Sequence, residues 1–187
     1  MKTAILIHGW GGSPKKDWFG WASKEIAKLG YKIICPEMPE ADEPKISLWV
    51  NKLTQILNET NEEIILVGHS IGCQAILRTL SEIDVKSNIK KIILAAPWWF
   101  LTIGESEEII AKPWYEQNID FSQIKNNYED ITCFFSDNDP VVPLNINKDF
   151  FVEKINPKIV IQKGMGHFSG DDNPSVTEIP FLLDYLK

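Results

Sequence analysis

Short apolar stretches alternate with helical spacing along most of the 187-residue chain. Six stretches stand out as strand candidates: Ala4–Ile7, Lys32–Cys35, Ile64–Val67, Ile92–Ala95, Ile131–Phe135 and Ile159–Ile161. Each is short, rich in Ile, Val or aromatic residues, and bounded by Gly, Pro, Asn or Asp, as strands buried on both faces tend to be. Between them, Trp18, Ala22, Ile26 and Leu29 recur at helical spacing, and Gly30 is placed to end that helix. Trp49, Leu53 and Ile56 repeat the pattern, and Ile71 to Leu80 continues it with Ala75 and Ile76 after the third run. Pro180 suits a first turn and predicts a last helix reaching Leu186. This alternation predicts an α/β fold: a mostly parallel sheet of about six strands with helices on both faces.

Neither a repeat nor a composition break marks a boundary, so residues 1–187 are expected to form one domain. Residues 97–129 depart from the rhythm. There Trp98-Trp99-Phe100 precede an acidic stretch, Glu105 to Glu108, and then Lys112-Pro113-Trp114-Tyr115. A segment of that length predicts a lid or binding insertion.

Charge and cysteine usage narrow the setting. The formal net charge of −7 and the lack of a basic run argue against a nucleic-acid partner. No apolar run approaches a membrane span, and the apolar segment after Met1 is too short for a signal peptide. Cys35, Cys73 and Cys133 are odd in number, widely spaced and without a CxxC pair. They read as reduced thiols in the cytoplasm rather than as a disulfide framework or zinc site.

Gly68-His69-Ser70-Ile71-Gly72 is a G-x-S-x-G motif. Composition alone makes it a weak signal, but here it lies between a strand and a helix, the context a nucleophile elbow requires. An acyl-transfer serine also needs a base and a carboxylate, which in this arrangement follow in the order Ser, Asp or Glu, His. Asp139 follows the fifth apolar run and His167 the sixth, both on loops at strand C-terminal ends, where open α/β sheets place their sites. Asp137 competes with Asp139, which is preferred because Pro140 fixes the turn directly after it. His69 is set aside as a base because neighbours on a sharp turn point different ways, and His8 reads as a structural member of its loop. The early loop His8-Gly9-Trp10-Gly11-Gly12 follows the first strand. It supplies Trp10 N–H as one expected oxyanion donor, with Ile71 N–H as the other. A phosphate loop is excluded, because neither G-x-x-x-x-G-K-[ST] nor the dinucleotide spacing is present.

With these residues in view, the chain resembles the YdeN-like serine hydrolases, a group related to retinoblastoma-binding protein 9. The resemblance runs through His8-Gly9-Trp10-Gly11-Gly12-Ser13, Pro36-Glu37-Met38-Pro39 and Gly68-His69-Ser70-Ile71-Gly72-Cys73. It continues through Asp120-Phe121 with Ile124, Ser136 to Pro143, and Gly166-His167-Phe168. It implies a compact α/β-hydrolase fold shortened at its N-terminus, with Ser70, Asp139 and His167 as the triad. The expected activity is hydrolysis of small carboxylic esters by acyl transfer, without a metal or organic cofactor. A peptidase or amidase using the same triad, or a protein-binding module on the same fold, are the competing readings, although no protein partner is indicated. Trp98, Trp99 and Trp114 are candidates for the substrate pocket, with core packing as their alternative role.

Overall fold

All six apolar runs become strands. The computed structural model describes residues 2–171 and 175–186. Its strands are β1 (Lys2–Ile7), β2 (Tyr31–Ile34), β3 (Glu63–His69), β4 (Ile89–Ala95), β5 (Ile131–Ser136) and β6 (Lys158–Gln162). They form one sheet in the order β2-β1-β3-β4-β5-β6, and all five pairings are parallel. Every residue of β5 and the last six of β3 are buried, which explains the near-continuous apolar character of both runs.

The helices are α1 (Phe19–Lys28), α2 (Ile46–Glu59), α3 (Ile71–Glu82), α4 (Glu105–Glu116), α5 (Phe121–Asn127) and α6 (Leu144–Ile155). Gly30 ends the first helical segment as expected, at φ 89°, with its N–H on the Ala27 carbonyl. The expected C-terminal helix is a 3-10 helix, Pro180–Tyr185. It is packed by Phe181 and Tyr185 against Phe134 of β5. Helices α2, α3, α5 and α6 pack successively against one another. Right-handed crossovers put them on one face of the sheet, and α1, which carries the chain the opposite way from β1 to β2, on the other.

That reversal makes a topological switch point between β1 and β3, where the loops leaving the two strands separate and open a crevice. Residues 97–129 are more than an insertion. Helix α5 fills the space between α3 and α6, so it is part of the crossover from β4 to β5. The stretch from Trp98 to Glu107 is the part that reaches the crevice.

Candidate active site

Ser70 directly follows β3 and caps α3 with φ 52° and ψ −118°, a conformation rare for a residue with a side chain. The turn is held by Ser70 N–H on the Ala95 carbonyl at 2.9 Å and by Cys73 N–H on the Ser70 carbonyl at 2.9 Å. Both motif glycines answer to close packing. A Cβ on Gly72 would stand 2.3 Å from the Ile7 carbonyl oxygen, and one on Gly68 would stand 2.8 Å from Ile76 Cδ1. Helix α3 therefore presses onto the end of β1, and its N-terminal partial charge points at the Ser70 side chain.

Three side chains form one hydrogen-bonded chain. Ser70 Oγ lies 2.9 Å from His167 Nε2, and His167 Nδ1 lies 2.9 Å from Asp139 Oδ2. The carboxylate can only accept, so the imidazole proton sits on Nδ1 and Nε2 offers its lone pair to the serine hydroxyl. The second oxygen, Asp139 Oδ1, accepts N–H bonds from Val141 and Val142 at 2.8 Å each, and the carboxylate is almost wholly buried. Those two N–H groups hold the carboxylate in place against the imidazole.

Asp137 has a different task. Its Oδ1 accepts Gly164 N–H at 2.8 Å, Ser136 Oγ accepts Met165 N–H at 3.0 Å, and Asn138 Oδ1 accepts Gly166 N–H at 2.9 Å. Together with Asp139 on His167, four successive residues starting at the last residue of β5 hold four successive residues after β6. The side-chain geometry thus separates the two competing aspartates.

The remaining histidines are buried and neutral. His8 donates through Nδ1 to the Gly9 carbonyl and accepts Met38 N–H at Nε2, at 2.8 and 3.0 Å, and burial lowers its pKa. It is the loop-organising residue that the sequence suggests. His69 places Nε2 2.7 Å from the His167 carbonyl. Burial, reinforced by the neighbouring His167, pushes its pKa down to about 3. The early loop is tied to the chain at 41–42 by Gly11 N–H on the Ala41 carbonyl and by Trp10 Nε1 on the Asp42 carbonyl, both at 2.8 Å. Burial pushes the thiols of Cys73 and Cys133 up, and that of Cys35 up to about 12, so none of the three free cysteines is an activated thiolate.

A pocket of about 310 Å³ opens over Ser70 and His167, and both Trp10 and Ile71 border it. Its apolar wall is Trp98, Leu101, Ile103 and Val141; its rim carries Lys16, Asp17, Glu107, Ser169 and Asp171. Of the three tryptophans expected to line the site, only Trp98 does so. Trp99 instead stacks on Phe150 with ring centroids 5.0 Å apart and meets Phe121 edge-on at 5.5 Å. Trp114 donates from Nε1 to the Pro44 carbonyl and packs on Trp49, beside a separate depression of about 540 Å³ between α2 and α4. That depression contains neither Ser70 nor His167. The sequence reading passes over Leu101, Ile103 and Val141. Their signal is position: the first two follow the C-terminal end of β4, and Val141 lies two residues past Asp139. Among the described residues, no group of three His, Cys, Asp or Glu side chains is placed to hold a metal ion, and no helix is long and apolar enough to cross a membrane.

Comparison with known proteins identifies the family and the fold. Residues 4–179 match the family described as Serine hydrolase. YdeN of Bacillus subtilis (strain 168) is 26% identical over 187 residues, covering 99% of this chain and 94% of the relative. The crystal structure of the B. subtilis ydeN gene product superposes with a TM-score of 0.87 at 25% identity, over 100% of this chain and 97% of that one. Est1E from Butyrivibrio proteoclasticus, solved with ferulic acid bound, has the same fold at a TM-score of 0.75 and 15% identity, over 100% of this chain and 90% of its own.

Proposed function

Since the chain belongs to the serine hydrolase family, we propose that it cleaves small carboxylic esters by acyl transfer, with Ser70 as nucleophile, His167 as base and Asp139 as its orienting carboxylate. The observation that carries this reading is the Ser70–His167–Asp139 chain, with both links at 2.9 Å, opening onto a pocket with an apolar wall. His167 Nε2 takes the hydroxyl proton as Ser70 Oγ bonds to the ester carbonyl carbon. The carbonyl π electrons move onto oxygen, and Ile71 and Trp10 N–H groups receive that oxyanion. When the oxyanion collapses, the ester C–O bond breaks and the alcohol leaves with the proton from His167. Water, deprotonated by the same nitrogen, then attacks the acyl-Ser70 carbonyl, and the carboxylic acid departs as Ser70 recovers its proton.

The ester lean rests on the pocket. Trp98, Leu101, Ile103 and Val141 offer an acyl chain dispersion contact and little polar competition. Three reduced cysteines fit a cytoplasmic setting.

Intact-mass measurement after fluorophosphonate treatment tests the nucleophile. One phosphonyl adduct is expected on the wild type and none on Ser70→Ala. Absence of an adduct on folded wild type would reject the mechanism and favour a binding role for the fold. Short-chain 4-nitrophenyl esters compared with matching aminoacyl amides then test the substrate class; faster amide turnover would move it to peptides.

A further inference from the structure

The residue before Ser70 does something the mechanism above does not use. His69 is 3% exposed, and its side chain lies among Trp18, Phe19, Gly9 and His167. Its Nε2 lies 2.7 Å from the His167 carbonyl oxygen, and the two imidazole centroids are 5.1 Å apart. A carbonyl can only accept, so the His69 proton resides on Nε2. The other nitrogen, Nδ1, is buried without a partner among the described residues and faces Gly9, where a Cβ would stand only 2.9 Å away. Burying Nδ1 without a partner among those residues costs desolvation free energy.

We propose that His69 is a positioning residue that locks the base to the nucleophile elbow, an inference that rests on the serine hydrolase reading. Among the restraints on His167, three have distinct sources. Asp139 fixes its ring, the side chains of residues 136–138 fix the chain leading into it, and His69 fixes its carbonyl. Only the last of these comes from the strand that carries Ser70. Movement of the His167 backbone relative to Ser70 therefore requires breaking the His69 bond or dragging the elbow along.

The test compares His69→Gln, whose amide nitrogen reaches the position of Nε2, with His69→Asn, whose amide stops short of it. If the bond positions the base, His69→Asn lowers kcat about ten- to hundredfold with KM within about threefold, as for a misplaced catalytic group. His69→Gln keeps kcat within about threefold of wild type. Wild-type kcat in His69→Asn, or an equal loss in both variants, overturns the proposal. A ¹⁵N-histidine spectrum of the wild type decides the same point where a variant does not fold: the His69 proton is expected on Nε2, and a proton on Nδ1 overturns it. Fluorophosphonate labelling of the wild type separates the two ideas, since an unlabelled wild type defeats the hydrolase reading itself, whereas labelled protein with indifferent His69 variants defeats only the positioning role.

Discussion

A serine at φ 52° and ψ −118° sits where a side chain costs about 1–3 kcal/mol, and the surrounding packing has to hold it there. Helix α3 supplies that packing, since every residue from Ile71 to Leu80 is buried. Ser70→Ala and Ser70→Gly should both abolish hydrolysis, but they should differ in stability. Glycine relieves the backbone strain and gives part of the gain back as unfolded-chain entropy, leaving it about 1 kcal/mol more stable than alanine. Urea unfolding of the two variants measures the difference, and equal midpoints would mean an unstrained turn. That Ser70, Asp139 and His167 meet was legible in the sequence because their order and their places after strands are properties of the chain itself. The role of His69 was not, because its partner lies 98 positions away and no local pattern joins them. Trp99 and Trp114 mislead for a related reason: an aromatic side chain announces burial, and only the helix packing decides which surface it covers.

The strands were readable from runs of apolar residues, whereas helices α4, α5 and α6 were hidden. Helix α6 places Phe150, Phe151 and Val152 in succession, which spreads apolar character around the helix and blurs its periodicity; the residues it buries are Asn147, Phe151 and Ile155. Its inward anchor is a polar residue. Asn147 is fully buried and accepts N–H bonds from Trp99 and Phe100, at 2.7 and 3.0 Å, while its amide donates to the Phe100 and Pro143 carbonyls. This one side chain fastens the strap after β4 directly ahead of Leu101 and Ile103, which form the wall of the Ser70 pocket. Asn147→Ala leaves two N–H groups without an acceptor and should cost roughly 2–4 kcal/mol of stability. It should also raise KM for short-chain esters more than it lowers kcat, because Ser70, His167 and Asp139 do not touch the strap through Asn147. A variant with wild-type unfolding and KM would show that the strap holds itself in place.

At the scale of the molecule, charge decides which substrates approach. The sequence shows the sign, with 26 acidic against 19 basic side chains, but not the distribution. The pocket rim is assembled from loops and the first turn of α4, which meet only in the fold, and it places the carboxylates of Asp17, Glu107 and Asp171 against the ammonium of Lys16. Each has a local partner: Asp17 takes Gly170 N–H, Glu107 takes Gly104 N–H, and Lys16 pairs with Asp171 at 2.6 Å. Their summed field still opposes an incoming anion. An acyl group ending in a carboxylate meets a second penalty, because the wall of Trp98, Leu101, Ile103 and Val141 offers at most the Trp98 indole N–H in exchange for its water. The two effects separate by salt. Desolvation is insensitive to ionic strength, whereas the field of an exposed rim is screened over a Debye length of about 10 Å at 0.1 M. 4-Nitrophenyl hemisuccinate should therefore show kcat/KM at least about tenfold below 4-nitrophenyl butyrate at low salt, a difference of roughly 1.4 kcal/mol or more. The gap should narrow, without closing, as salt rises to about 0.3 M, where the screening length shortens further. A gap that does not respond to salt assigns the whole effect to the pocket wall, and no gap at all removes electrostatic selection from this site.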